Sequence, residues 1–140
     1  MTVTLVPLDR EHLPAVEELG RDPDVLRHTR VPEPPPPGFA ETWLGLYERG
    51  RADGTREGFA VVDGGGEFLG LALAGSIDAE ARTAELGYVV APAARGRGVA
   101  TAKRVAERSG HRFEGVLRSR HLEQDTREDT EIWSRLPSDP

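Results

Sequence analysis

Cysteine is absent from the 140-residue chain, which excludes a disulfide framework, a thiolate nucleophile and a cysteine-based metal site. The same absence points to a reducing compartment. Long hydrophobic runs are missing too, and none approaches the ~20 residues of a membrane span. The opening residues Met1 to Pro7 lack the basic start and apolar stretch of a secretory leader. Together these absences predict a cytoplasmic protein with no membrane partner. The four histidines, His12, His28, His111 and His121, share no ligand spacing, so no metal is expected. An isoelectric point near 5.2 lies far from the basic footprint of a nucleic-acid binder, so no nucleic-acid partner is expected either.

What is present fits a single globular domain over residues 1–140, with 37% hydrophobic and 30% charged residues. The net charge of −6 is unevenly spread. Residues 1–94 carry −8 and 121–140 carry −4, whereas 95–120 carry +6. A basic segment in an acidic protein invites an anionic ligand, although a solvated helix face with compensating charges would look the same.

Alternation predicts a strand over 2–8, and Asp9 stands as the N-cap of a helix over 11–19 closed by Gly20. Residues 21–38 read as a loop with at most a helical turn near Val25 and Leu26. Within it, the Pro34–Pro37 run reads as a stiff connector rather than a ligand for a proline-reading domain. Phe39, Trp43, Leu46 and Tyr47 form the apolar stripe of a helix over 39–51. Strands follow at 57–63, 67–77 and 84–90, the first two joined through Gly64-Gly65-Gly66. After Pro92 the pattern turns helical, with Val99, Ala102, Val105 and Ala106 on one face and Gly110 at its end. Two closing strands, 111–121 and 130–136, offer Phe113, Val116, Ile132 and Trp133 as core candidates. This order places the chain in the α+β class, with a mixed sheet flanked by helices.

The chemistry concentrates where the strand LGYVV runs through Ala91 and Pro92 into ARGRGVAT. Unpaired amides at a helix start suit a phosphate, glycines let the backbone approach it, and Arg95 and Arg97 add charge. A basic tight turn with no ligand is the bland alternative. No Gly-Lys-Ser/Thr follows, which excludes a P-loop, and Thr101 stands where a dinucleotide fingerprint needs its third glycine. Arg95, Gly98 and Ala100 instead fit the pattern Gln/Arg-x-x-Gly-x-Gly/Ala. The segment resembles the acetyl-CoA motif of the GNAT N-acetyltransferase superfamily. Residues 84–101, 104–119 and 129–137, with the proline-rich loop and the FAVVDGGGEFLGLALAGSI hairpin, are similar to its RimJ/RimL-like branch, which acetylates ribosomal proteins.

The resemblance implies a GNAT fold with a mainly antiparallel sheet, and acetyl-CoA as co-substrate without a metal. It implies direct acetyl transfer in a ternary complex to a primary amine, either a protein N-terminus or a small molecule. The pantetheine arm would lie along Val89, Val90 and Ala91. The diphosphate would sit on the amides from Arg97 to Thr101, a stretch including Gly98, Val99 and Ala100, beside Arg95 and Gly96. The Val90 N–H would receive the oxyanion. Glu85, on the face of Val89 by period-two counting, is the base candidate, with surface pairing to an arginine as its alternative. Tyr88 falls on the opposite face and reads as core.

The chain departs from the family after Thr101. A helix remainder, a fifth strand and their connections, roughly 25–30 residues at ordinary element lengths, are missing. An asparagine and serine element that would face the sulfur is missing with them. The edge of the fourth strand must then stay open, be covered by the closing strands, or pair with a second copy as a homodimer. A non-catalytic module that binds acetyl-CoA, CoA or a partner chain is therefore the alternative to the enzyme, and a chain with no ligand function is the third reading.

Overall fold

The computed structural model describes residues 2–29, 31–99, 102–123 and 125–140. Strand β1 (Val3–Pro7) leads through Asp9 into a 3-10 turn (Arg10–His12) and helix α1 (Leu13–Leu19). The expected helix over 11–19 thus begins two residues late. Pro14 has no N–H to give and is tolerated only in a helix's first turn, so the α-helical ladder starts at Leu13. Asp9 still caps, its carboxylate accepting the Glu11 N–H at 3.0 Å. Helix α2 (Pro23–His28) forms where only a turn was expected. Asp22 caps it by accepting the Val25 N–H at 3.0 Å, and Pro23 sets the first helical φ.

Helix α3 (Phe39–Asp53) buries Ala40, Leu44, Tyr47 and Gly50, while Leu46 is exposed. The buried face is therefore rotated from the expected aromatic stripe. Small residues mark the line of close approach, and Trp43 packs from the flank with its ring 4.6 Å from that of Tyr47. Arg51 fastens the helix's end to the sheet, donating to Glu57 Oε1 at 2.6 Å and the Gly58 carbonyl at 2.7 Å.

Strands β2 (Glu57–Asp63), β3 (Phe68–Asp78) and β4 (Thr83–Val90) join β1 in a sheet ordered β1-β2-β3-β4, every pairing antiparallel. The β2–β3 turn is held by the Asp63 carboxylate, which accepts the N–H groups of Gly65 and Glu67 at 2.8 and 2.9 Å. One core gathers Leu8, Val16, Leu19, Val25, Leu44, Leu69 and Leu71 with smaller residues between the sheet and helices.

The chain divides into two units, Met1–Val99 and Ala100–Pro140. The second holds helix α4 (Ala102–Arg108) and the hairpin of β5 (Arg112–Glu123) with β6 (Thr126–Ser134), which form a separate two-stranded sheet. Val99, expected within this helix, lies outside α4 and ahead of it in the chain. Phe113, Val116 and Ile132 are exposed, contrary to their expected place in a core. A two-stranded ribbon has no further strand across which to bury a face. Phe113 instead meets Trp133 edge-on at 5.4 Å. Among the described residues no helix is long and apolar enough to cross a membrane.

Candidate functional site at the end of the fourth strand

Strand β4 ends its sheet, and among the described residues no strand pairs with its outer edge. Which backbone groups face that edge follows from phase. The Ala91 N–H donates to the Leu69 carbonyl at 2.9 Å, and the Val89 carbonyl lies against Gly70 of β3. Inter-strand bonding alternates along an antiparallel pair, so Val89 and Ala91 turn inward and the N–H groups of Tyr88 and Val90 turn outward. Beyond Ala91, Pro92–Ala94 makes a 3-10 turn whose Ala94 is buried. Gly96 and Gly98 then take left-handed φ values of 71° and 76°, with open space where a side chain would begin. Arg95 through Val99 therefore form an irregular turn with accessible backbone. Ala100 and Thr101, expected to complete the phosphate site, lie outside the described residues.

A cleft of about 350 Å³ opens beside the strand's end. Tyr88, Val89 and Val90 line it from β4, Asp24 and Val25 from α2, with Thr29 and Arg95 completing it. Tyr88, expected in the core, is instead 38% exposed and part of this wall. It stands on an edge strand, where the face opposite the core meets solvent. Glu85 is exposed and is not part of the wall. It lies four positions before Val89, about 13 Å along a strand.

Both arginines of the turn have carboxylate partners. Arg97 NH1 lies 3.4 Å from Glu67 Oε1. Arg95 is held more firmly, with NH2 2.6 Å from Asp22 Oδ1 and NH1 2.8 Å from Asp24 Oδ2. Sequence reading missed Asp22 and Asp24, whose local signal marks only a helix start. The Arg95 hydrogen bond holds the Asp22 carboxyl below its ordinary 3.8. A carboxyl lowered on folding stabilises fully above its unfolded value, and that stabilisation is lost as pH falls through the folded value. The stability gap between the native chain and Arg95→Gln is therefore expected to be constant near neutrality and to close below about pH 4. Urea unfolding from pH 6 to pH 3 measures it, and a gap unchanged at pH 3 would refute the pairing.

Among the described residues one group, Asp9, Glu11 and His12, could offer three metal-ligand atoms within 4.8 Å of one another. Capping already employs it: His12 Nδ1 accepts the Asp9 N–H at 3.2 Å while Asp9 accepts from Glu11.

A family model described as an acetyltransferase (GNAT) domain matches residues 2–111. Among solved structures, RimL, a ribosomal L7/L12 α-N-protein acetyltransferase in complex with coenzyme A, is similar at 15% identity. That likeness covers 97% of this chain and 94% of the other, with a TM-score of 0.82. Spermidine N-acetyltransferase from Vibrio cholerae, in complex with CoA and spermine, is similar at 20% identity. It covers 94% of this chain and 95% of the other, with a TM-score of 0.75. No curated protein matches the sequence significantly.

Proposed function

The chain belongs to the acetyltransferase (GNAT) domain family, and from that premise we propose that it transfers an acetyl group from acetyl-CoA to a primary amine. The observation that carries this reading is the outward N–H of Val90 at the free end of β4, beside a cleft and just before a turn opened by two left-handed glycines. The cleft suits a slender thioester arm, which would lie along Val89, Val90 and Ala91. The accessible backbone of Gly96, Arg97, Gly98 and Val99 suits a diphosphate.

In the proposed reaction the amine gives its proton to water, its nitrogen attacks the thioester carbonyl, and the carbonyl oxygen becomes an oxyanion. The Val90 N–H stabilises that charge where it develops. Collapse breaks the carbon–sulfur bond, and the thiolate of CoA takes up a proton as the acetylated amine forms. With no cysteine in the chain, direct transfer in a ternary complex fits better than a thiol acyl-enzyme. Glu85 is proposed to receive the amine's proton through intervening water, since the distance along β4 precludes direct contact.

We place the chain with the RimJ/RimL-like branch, as one cytoplasmic domain shortened after Thr101, with an N-terminal or small-molecule amine as acceptor. A non-catalytic module binding acetyl-CoA, CoA or a partner is the second reading, and one observation favours it. Ser109, the remaining serine of α4's end, spends its hydroxyl on the Val105 carbonyl at 2.6 Å and offers the sulfur nothing. A homodimer through the β4 edge belongs to this reading.

Calorimetric titration with acetyl-CoA, followed by CoA release with spermine, spermidine and an N-terminal peptide, tests the proposal. Saturable micromolar binding with release is the expected result. Binding without release to any acceptor selects the second reading, and no binding by a folded sample ends both coenzyme readings.

A further inference from the structure

The charge around Arg95 argues against the role its sequence suggests. Three short contacts tie its guanidinium to Asp22 and Asp24, including NH1 to Asp22 Oδ2 at 3.4 Å. The Asp22 side chain is only 13% exposed and that of Arg95 34%. Both terminal nitrogens of the guanidinium are already engaged by carboxylates, which offset its charge toward a diphosphate. Mechanically, the same contacts join two distant pieces of chain. Asp22 holds the start of α2 through the Val25 N–H, while Arg95 follows directly on the anchored Ala94. Val25 and Thr29 line the cleft on one side of this tie, Val89 and Val90 on the other.

We infer that Arg95 is a positioning residue: clamped by Asp22 and Asp24, it fixes α2 as one wall of the cleft and does not contact the ligand's phosphate. The clamp itself stands on these contacts, and only its consequence for ligands rests on the coenzyme reading above. A planar guanidinium spans two carboxylates, a geometry a single ammonium cannot reproduce. Arg95→Lys therefore removes the clamp while keeping the charge. Asp22→Asn removes the charge pair while keeping a competent N-cap.

Two measurements separate the roles. The first is amide hydrogen exchange on the ligand-free protein, read at α2, where the Leu26 N–H bonds the Asp22 carbonyl at 3.0 Å. Arg95→Gln, Arg95→Lys and Asp22→Asn are each expected to speed α2 exchange about tenfold, the scale of one charge-assisted hydrogen bond. The double variant Asp22→Asn with Arg95→Gln should be no faster than the single ones. Unchanged α2 exchange in Arg95→Gln overturns the clamp, whatever any ligand does. Should that variant fail to fold, Asp24→Asn, which cuts the more exposed arm, is expected to speed α2 exchange by less, and no change overturns the clamp.

The second measurement compares acetyl-CoA with acetylpantetheine, which lacks the diphosphate. A positioning role weakens both by the same factor in Arg95→Gln, and Arg95→Lys resembles Gln. A phosphate contact would weaken acetyl-CoA alone, be partly rescued by Lys, and make Asp22→Asn bind more tightly; that pattern overturns the inference. If the native chain binds neither compound, the coenzyme reading fails while hydrogen exchange still decides the clamp.

Discussion

Replacing Val90 with proline is expected to leave the chain folded while slowing acetyl transfer about 10²–10³-fold, the loss typical of one oxyanion donor. Proline in a sheet is harmful because it removes a donor from the ladder and places its ring where a neighbouring strand lies. At Val90 neither cost applies. The Ala91 N–H bonds Leu69, so the preceding N–H points away from β3, toward an edge that no described strand occupies. Val89→Pro is the informative contrast. Its N–H faces β3, and its loss is expected to cost about 3 kcal/mol of stability. Circular-dichroism melts of both variants, with initial rates of CoA release for Val90→Pro, make the test. A folded Val90→Pro that transfers acetyl at the native rate removes the oxyanion role. An unfolded Val90→Pro paired with a stable Val89→Pro would mean that the phase of β4 is reversed.

How far such details are legible in the sequence depends on how local their causes are. The order of strands and helices follows from periodicity within each segment, and the β2–β3 hairpin from its glycines. Helix α2 was legible in principle, since Asp22-Pro23 is a cap followed by a residue preset for the first helical turn. The turn after β4 was found through its glycines, because a left-handed φ leaves a compositional mark. The state of Arg95 left no such mark. Its partners lie 73 and 71 residues away, and nothing in a run of basic residues shows which acids the fold will bring to one of them. Tyr88 and Phe113 failed for a related reason. Alternation says which residues share a face, but sheet order decides whether that face is covered. β4 proves to be an edge strand and β5–β6 a separate pair.

Gly70→Ala is expected to destabilise the chain by about 2–4 kcal/mol and to abolish whatever binding the cleft supports. Gly70 has φ +155°, a conformation that side chains rarely adopt. A Cβ there would be driven into the Val89 carbonyl and would stand 3.1 Å from Val90 Cα. Because the obstacle is backbone, no side chain can rotate away, and relief requires β3 and β4 to separate. The position is also where the β2–β3 register slips, between the pairs Val61–Gly70 and Val62–Phe68, with the fully buried Leu69 as the extra residue. The irregularity that buries Leu69 thus forces a glycine beside it, and the glycine permits β4 to lie close enough for Ala91 to bond Leu69. Gly87→Ala is the control, since Gly87 lies on the partner strand β4 with open space at its Cβ, and a change within about 0.5 kcal/mol is expected. Urea unfolding of both variants measures the difference. Equal stabilities would show that β4 yields without cost, and the fixed placement of the Val90 N–H, on which the proposed chemistry depends, would then have no structural support.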